Sequence, residues 1–354
     1  MTVVLPSSPS EAGTASAEAR APSRSPRPGG DSLWPTLSVI VPATDRPPTL
    51  PGCLRALELA DEPPEEIIVA DRPAGAGPAH ARNVGALQAT GSVLVFVDAD
   101  VEVRRDALAR IRAAFRNDRE LDAVFGSYDD DPTARSVISS FRNLLHHHVH
   151  QTSAGPATTF WSGLGAVRRA AFESCGGFDA DRFPHPSVED VDLGMRLAAK
   201  GARVILDPRV EAMHRKAWTL RSMVHTDLFG RGVPWVALQV RSRSCSRALN
   251  LGWRHRLSAG VCAGGFAAAV LRRPLGAAGA VCTLVALNLP FYALLLRRRG
   301  PLEAVAGVGL HAVHHLTAAV SLPAGLAVHA LEAVGPRNAF DRLRRRLRRR
   351  DMAR

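Results

Sequence analysis

Apolar runs and amphipathic stretches alternate along the first part of the chain. The runs whose composition favours strands are residues 37–41, 66–70, 93–97 and 121–125. The stretches with apolar residues at helical spacing are residues 50–60, 78–89 and 106–116. Successive strand and helix units of this kind predict an α/β fold, with a mostly parallel sheet flanked by helices.

The apolar pattern changes after residue 220. Residues 221–243 mix Trp and Leu with several arginines, which is typical of an amphipathic helix at a bilayer surface. Residues 275–296 carry no charge and are about long enough to cross a bilayer, and residues 257–271 are shorter and rich in Ala and Gly. We expect these two to form a membrane hairpin. Residues 304–330 contain four histidines and are expected to stay interfacial or re-entrant.

These patterns divide the chain into five segments. Residues 1–33 are rich in Ser, Pro, Ala and Gly, so we expect a disordered leader. The segments that follow are an α/β domain at 34–220, an amphipathic interfacial helix at 221–255, membrane-associated helices at 256–333 and a basic tail at 334–354.

Basic residues outnumber acidic ones, 45 against 33, and the formal net charge is +12. The Arg clusters at 297–299 and 342–350 flank apolar stretches and are not interleaved with stacking aromatics. This arrangement favours contact with anionic lipids on the cytoplasmic side of a cell membrane, and argues against a nucleic-acid partner. The five cysteines lack paired spacing, so neither a disulfide framework nor a zinc site is predicted.

Two carboxylates, Asp98 and Asp100, follow the apolar run 93–97 directly. Ligands of open α/β sheets bind beyond the carboxyl ends of the strands. Two acids separated by one residue of an extended chain point to the same side of it. Together they can hold a hard divalent cation through their oxygens. An ordinary turn at the strand end explains the triplet equally well when it is taken alone.

Other polar residues fall at the ends of the predicted strands, where a nucleotide could bind. The candidates for nucleotide contacts are Pro42, Thr44, Asp45 and Asp71, with Arg82 and Asn83 on the helix that follows. A carboxylate can accept a hydrogen bond from a base N–H, and the forked donors of an Arg can reach a base or a phosphate. Taken singly, Asp71 also fits a turn and Arg82 a surface charge.

A later segment, residues 186–192, opens a helix with Glu189 and Asp190 in its first turn. A helix start at a cleft rim fixes the direction of a carboxylate and suits a general base. Ser187 with Asp190 also resembles a capping box, which would give the acids a purely structural role. His214 follows the predicted strand 203–206 and could ligate a metal or steady departing phosphates.

Two histidine clusters have less specific patterns. His311, His314 and His315 lie at helical spacing, and we interpret them as the polar side of the interfacial segment, in preference to a metal site. The residues 146–148 and His150 are expected to form a solvated helix face.

The motifs together resemble those of family 2 glycosyltransferases. In chain order they read PATD, AD, GPAHARNVGA, VFVDAD, FWSGLGAVRR, GGFD, VEDVDLGMRL and MHRKAW, over residues 37–218. The resemblance implies a glycosyltransferase-A fold, a nucleotide-sugar donor, a Mg²⁺ or Mn²⁺ ion and transfer with inversion. The apolar segments after residue 256 resemble those of membrane-attached bacterial members.

The resemblance also implies roles for individual residues. Asp98 and Asp100 would take the metal and the sugar diphosphate, with His214 close to them. Asp71 and Arg82 would belong to the nucleotide site. Asp190, in the pair with Glu189, would be the catalytic base, and Trp161 and Gly163 would line the cleft for sugar and acceptor.

The chain departs from the family pattern at the nucleotide end. Family members often show V-x-D-D-G-S where this chain has Asp71, Arg72 and Pro73, and Thr44 with Asp45 replaces a commoner Tyr-Asn. The nucleoside, the sugar and the acceptor are therefore left open, a lipid-linked acceptor being compatible. One alternative is a sugar nucleotidyltransferase, although residues 42–46 lack the glycine-rich basic loop that grips a triphosphate. The other is a catalytically degenerate membrane binding protein on the same fold.

Overall fold

A computed structural model describes residues 34–242 and 252–334. The predicted leader and the basic tail from residue 335 onward lie outside the described residues. The strands are β1 (Leu37–Pro42), β2 (Glu66–Ala70), β3 (Val93–Val97), β4 (Val101–Val103), β5 (Leu121–Tyr128), β6 (Gly155–Pro156), β7 (Leu164–Arg168) and β8 (Arg203–His214). The helices are α1 (Leu50–Glu58), α2 (Pro78–Gln88), α3 (Ala107–Asn117), α4 (Val137–Gln151), α5 (Arg169–Ser174), α6 (Glu189–Ala199), α7 (Leu220–His225), a π-helix (Thr226–Gly232), α8 (Val233–Ser242), α9 (Trp253–Val270), α10 (Pro274–Leu287), α11 (Leu289–Arg299) and α12 (Pro301–Val334).

The strands form one sheet in the order β2-β1-β3-β7-β5-β8-β4, with β6 paired to β8. β1 is parallel to β2 and β3, and β5 is parallel to β8. β7 runs antiparallel between β3 and β5, and β4 runs antiparallel along the last part of β8. The predicted mostly parallel sheet flanked by helices is confirmed, with these reversed strands added to it.

Strand β3 is buried on both faces and anchors the sheet. Val95 faces the core beneath α1 and α3, whereas Phe96 faces the core beneath α2 and α6, as strand alternation requires. The ring of Phe96 contacts those of Phe172 and Phe178, with centroids 5.5 Å and 5.1 Å away. The end of β3, where Asp98 and Asp100 lie, is therefore held from both sides.

The helices after residue 220 pack against the α/β part of the chain. Phe141 and Leu144 of α4 share a core with Phe291 and Leu295 of α11. The segment from α7 to α8 is continuously helical and contacts α12. Its packing against protein means that it is more than a surface helix on a bilayer.

The long apolar stretch 275–296 does not form one straight helix. It is divided at Asn288 into α10 and α11, whose axes are bent by 78°. Pro290 has no backbone N–H to continue the helix. At the break, the side-chain amide of Asn288 donates to Leu284 O at 2.9 Å and to Ser258 Oγ at 3.0 Å. The break has a local cause that the apolar count alone does not reveal.

The described helix that is long and apolar enough to span a membrane is Pro301–Glu332 within α12. We expected this stretch to be interfacial or re-entrant because of its histidines. His311, His314 and His315 are buried instead: Tyr292 Oη lies 2.9 Å from His311 Nδ1, and Asp227 Oδ2 lies 2.7 Å from His314 Nδ1. The expectation of a polar, exposed histidine face was wrong, because the polar ring atoms of His311 and His314 meet partners on neighbouring helices.

We expect Phe96→Ala to lower the free energy of unfolding by about 3–5 kcal/mol, because it opens a cavity among aromatic rings that cannot close. Leu87→Ala is the matched control, since Leu87 is 87% exposed, and its effect should stay within about 0.5 kcal/mol. Denaturant titration of the purified protein, followed by tryptophan fluorescence, measures both. Equal losses for the two variants would contradict the packing described for β3.

Candidate active site

A cavity of about 650 Å³ lies beyond the carboxyl ends of β1 and β3. Residues from segments far apart in the chain line it. The predicted site residues in its lining are Pro42, Thr44, Asp45, Arg82, Asp98, Asp100, Trp161, Glu189, Asp190 and His214. The chain therefore brings most of the predicted site residues together around one space.

The buried guanidinium of Arg82 connects two of these segments. Its Nη2 donates to Asp98 Oδ1 at 2.7 Å, and its Nη1 donates to Glu189 Oε1 at 2.9 Å. The ring of Phe178 lies against the guanidinium, 5.4 Å from its centroid. Arg82 thus fixes the end of β3 relative to the start of α6.

This arrangement changes the role expected for Arg82 and Glu189. We expected Arg82 to reach a base or phosphate, but its two Nη atoms are bonded to Asp98 and Glu189. Glu189 also accepts from Ser187 N through its other oxygen, at 2.8 Å. With both carboxylate oxygens engaged, Glu189 positions the site and is not free to act as the base.

Asp190 has the environment of a general base. Its Oδ2 accepts from Ser162 N at 3.2 Å, and its Oδ1 accepts from Val191 N at 2.8 Å. Burial, helped by the charge of Glu189, raises the pKa of Asp190 to about 6, while the opposing charge of Arg82 limits the rise. The carboxylate is therefore poised to take up a proton close to neutral pH.

The capping-box interpretation of residues 187–190 was wrong. The N-cap of α6 is Val188, whose side chain makes no capping hydrogen bond. The Oγ of Ser187 donates instead to Gly230 O, at 3.1 Å. Asp190 therefore does not close the start of α6 with Ser187, and its carboxylate lines the cavity.

Asp98 and Asp100 differ in their electrostatic surroundings. Burial raises the pKa of Asp98 even though Arg82 favours its charged form. Asp100 Oδ2 lies 3.5 Å from His214 Nε2. Burial opposes the ionisation of Asp100, but His214 and the nearby Lys216 hold its pKa below the ordinary value. The ring of Tyr128 stacks on His214 at 4.2 Å and keeps the imidazole in place.

The residues present offer an incomplete ligand set for a metal ion. Among residues 34–242 and 252–334, no group of three or more His, Cys, Asp or Glu side chains is assembled to hold a metal by itself. Asp100 and His214 present oxygen and nitrogen to the cavity, whereas one oxygen of Asp98 is taken by Arg82. This set fits a divalent ion that takes further oxygens from a bound diphosphate.

The end of the cavity where we expected a nucleoside is formed by a folded loop. Thr44 Oγ1 donates to Ala76 O at 2.5 Å, and Gly75 N donates to Thr44 O at 3.1 Å. Asp71 ends β2 outside the cavity lining and pairs with Arg46 at 3.7 Å. Asp45 and Pro42 remain available to a nucleoside, and Asp71 lies further out.

Asn83 and Gly163 do not line the cavity, but they help to shape it. The amide of Asn83 bonds both the N–H and the C=O of Phe178, at 2.9 Å and 2.8 Å, so it holds a loop and does not reach a ligand. Gly163 O accepts from Asp98 N at 3.2 Å, and a Cβ on Gly163 would come within 2.5 Å of the Trp161 ring. Both therefore position other residues of the site.

Sequence reasoning missed several residues that line the cavity. We expected residues 146–148 and His150 to face solvent. Instead the rings of His146 and His150 stack 3.9 Å apart, and that of His146 lies 4.7 Å from Trp161. Their spacing of four residues, which places both on one face of α4, is the signal that could have identified them. Arg142, Arg231 and Trp235 also line the cavity, and no motif marked them.

Arg82→Gln should lower the free energy of unfolding by about 3–5 kcal/mol, because it leaves two acids in a cleft without their cation. Arg209→Gln removes only an exposed pair with Asp207 and should cost less than about 1 kcal/mol. Denaturant titration at neutral pH compares the two variants. If Arg82→Gln were as mild as Arg209→Gln, Arg82 would not hold the site together.

Comparisons with known proteins agree with the geometry. Residues 71–176 match the model described as glycosyl transferase family 2. The curated protein "Pre-mycofactocin glycosyltransferase", from Mycobacterium tuberculosis strains CDC 1551 / Oshkosh and ATCC 25618 / H37Rv, is 29% identical over 175 residues, which are 47% of this chain and 36% of the relative. The alignment thus spans little more than a third of the length of these relatives.

Solved structures with a similar outline include two transferases. "Mannosyltransferase PcManGT from Pyrobaculum calidifontis in complex with GDP-Man and Mn2+" has a TM-score of 0.46 and 19% identity, covering 87% of this chain and 91% of that one. "GalNAc-T7 with UDP, GalNAc and Mn2+" has a TM-score of 0.41 and 15% identity, covering 59% and 48%. The matched family segment includes Asp98 and Asp100, so residues 71–176, which hold these two acids, are similar to glycosyl transferase family 2.

Proposed function

We propose that the protein is a metal-dependent inverting glycosyltransferase, which moves a sugar from a nucleoside-diphosphate sugar to an acceptor hydroxyl at the cytoplasmic face of the cell membrane. The observation that carries the proposal is the meeting of Asp98, Asp100, Asp190 and His214 around one cavity. Asp98 and Asp100 follow β3, Asp190 lies in α6 and His214 ends β8, so three distant segments of the chain bring these side chains to one space.

Asp100 and His214 would hold a Mg²⁺ or Mn²⁺ ion, with Asp98 beside them. When bound, such an ion neutralises the charge that develops on a leaving diphosphate. Lys216 adds a cation on the same side, since its charge helps to lower the pKa of Asp100. Pro42, Thr44 and Asp45 line the same cavity and would contact the nucleoside.

Asp190 would act as the base in a direct displacement. Its carboxylate takes the proton of the acceptor hydroxyl while the acceptor oxygen forms a bond to the anomeric carbon. The bond from that carbon to the diphosphate oxygen breaks, and the nucleoside diphosphate leaves with its electron pair. Because attack and departure occur on opposite faces, the anomeric configuration inverts.

The helical part of the chain supports a location at the membrane. Exposed apolar side chains cover α9, α10 and α12, among them Phe266, Leu275 and Leu302. Of the Arg cluster that ends α11, Arg298 pairs with Asp130 of the α/β part, and Arg299 pairs with Glu303. We propose that the pair of Arg298 with Asp130 holds the α/β part on the side of the membrane where basic residues collect, which is the cytoplasm.

The two alternatives have weaker support. A sugar nucleotidyltransferase would need a glycine-rich basic loop after the first strand, and residues 42–46 lack one. A catalytically degenerate binding protein transfers no proton, so it does not require an acid with the raised pKa of Asp190. Nucleotide binding that depends on a metal separates the proposal from this second alternative.

Transfer by the wild-type protein should fall as the pH drops below about 6, because protonation of Asp190 removes the base. Asp190→Asn should lower turnover by about 10²–10⁴-fold, the usual contribution of a positioned base. Release of nucleoside diphosphate from a panel of sugar nucleotides, in membranes containing the protein, measures both effects.

Asp192→Asn is the matched control for that experiment. Asp192 lies on the same helix, pairs with Arg196 at 2.7 Å and is not part of the cavity lining. It should keep the pH dependence of the wild type. Undiminished turnover in Asp190→Asn would remove Asp190 from the mechanism.

A nucleoside diphosphate should stabilise the wild-type protein more in the presence of Mn²⁺ than in its absence, and Asp100→Asn should lose the metal-dependent part. A nucleoside diphosphate at about 100 times its Kd raises the free energy of unfolding by about 2.7 kcal/mol, which a thermal-shift measurement resolves. Asp106→Asn is the control, because Asp106 pairs with Arg110 outside the cavity. Equal shifts with and without Mn²⁺ in the wild type would speak for a site that binds no metal.

A further inference from the structure

The cavity continues past Asp190 into an arm between α4, the segment 226–242 and α12. We call this part the acceptor arm, and it is lined by Arg142, His146, Arg231, Trp235, Gln239 and Ser321. Its walls come from outside the segment that matches the family model, which ends at residue 176, except for α4. The chemistry of the acceptor arm is therefore a property of this chain.

Three hydrogen-bond donors lie along one wall of the acceptor arm. Arg231, Trp235 and Gln239 are spaced by four residues, which places them on one helix face. The Nε1 of Trp235 and the Nε2 of Gln239 are buried without a hydrogen-bond partner among the described residues. Buried donors without acceptors are costly, so their presence indicates a ligand that brings acceptor oxygens.

The guanidinium of Arg231 is near two acids, Asp190 and Asp227, but is not ion-paired with either of them. The nearest acid on its own helical segment is Asp227, whose two oxygens are taken by Arg142 at 2.5 Å and by His314 at 2.7 Å. Among the residues that the structure describes, Arg231 has no carboxylate within ion-pair distance. Burial lowers the pKa of His146, and lowers that of His150 to about 4, so these two rings are neutral. Arg231 therefore gives the acceptor arm a positive charge that acts on Asp190 and Asp227 but forms no ion pair among the described residues.

Two cationic side chains, Lys216 and Arg231, act on different acids of the cavity. Lys216 acts on Asp100, the side proposed for the diphosphate, and is among the causes of the lowered pKa there. Arg231 acts on Asp190, where it opposes the rise in pKa caused chiefly by burial. The charge beside the proposed base is thus separate from the charge beside the proposed metal site.

Helix α12 packs closely against the helix that carries Trp235 and Gln239. A Cβ on Gly232 would collide with the hydroxyl of Ser321, and a Cβ on Gly325 would come within 2.5 Å of Val236. The two helices therefore touch at their backbones, which fixes the direction of the side chains between them. Helix α12 is thus part of the acceptor arm as well as a candidate membrane span.

We infer that the acceptor arm binds an acceptor carrying an anionic oxygen group, a phosphate or a carboxylate, close to the hydroxyl that is glycosylated. Arg231 binds the anion, and Trp235 and Gln239 donate to its remaining oxygens. The inference rests on the proposed function, because it takes Asp190 as the base that meets the acceptor hydroxyl. A guanidinium in a partly desolvated site binds an anion more strongly than the same group in water does.

Thermal shift of the full chain, loaded with Mn²⁺ and a nucleoside diphosphate, tests this inference. The probes are octyl phosphate and octanoate as anions, with 1-octanol as the matched neutral compound. A second experiment uses phosphatidylcholine vesicles with and without phosphatidylglycerol. It distinguishes a lipid headgroup from a free small molecule as the source of the anion.

We expect an anionic probe to stabilise the wild-type protein and 1-octanol to have no comparable effect. Arg231→Gln should weaken the apparent affinity for that probe by about tenfold or more, the loss of one charge-assisted contact. Arg231→Lys keeps the charge and should recover part of the affinity. Arg221→Gln, an exposed site on α7, is the control and should behave as the wild type does.

Three results would overturn the inference. The first is equal binding of octyl phosphate and 1-octanol. The second is a loss of nucleoside-diphosphate binding in Arg231→Gln as large as the loss of anion binding. That result would assign Arg231 to the site for the nucleotide sugar. The third is no response to any anionic probe in a protein that still binds the nucleotide with Mn²⁺. Absence of metal-linked nucleotide binding in the wild type would instead defeat the proposed function itself.

Discussion

The buried guanidinium of Arg82 is the interaction on which the rest of the site depends. It joins Asp98, at the end of β3, to Glu189, at the start of α6, across 107 residues of sequence between Arg82 and Glu189. A cation removed from water is tolerated only because two carboxylates and the Phe178 ring surround it. The pairing also sets the distance between the β3 end and the helix that carries Asp190, and so it determines the width of the cleft.

The acids of the cleft are separated by their surroundings into different tasks. Asp98 is compensated by Arg82, Asp100 is kept ionised by His214 and Lys216, and Asp190 has its pKa raised by burial. An ionised acid suits a cation and a diphosphate, whereas an acid with a raised pKa suits proton transfer. The helices after residue 220 add a third region, the acceptor arm, whose charge comes from Arg231. These helices form one wall of the cavity.

The sequence predicted β1, β2, β3 and β5, because apolar runs such as 93–97 leave little ambiguity, but it did not predict β4, β6 and β7. It also predicted Asp98 and Asp100 after a strand and Asp190 at a helix start, and all three line the cavity, while their roles stay a prediction. It did not predict that Arg82 and Glu189 would satisfy each other, because such partners are distant in the chain and only the fold brings them together. The burial of His311 and His314 was missed for the same reason, since their partners Tyr292 and Asp227 lie on other helices.

A direct displacement with Asp190 as the base inverts the anomeric carbon, and the stereochemistry of donor hydrolysis tests this without knowledge of the acceptor. Proton NMR of the first sugar released from a hydrolysed sugar nucleotide, recorded before the anomers equilibrate, identifies its configuration. The account predicts a sugar of the opposite anomeric configuration to that in the donor. Release of a sugar with retained configuration would contradict a direct displacement, because a single attack on the face opposite the leaving group always inverts the anomeric carbon.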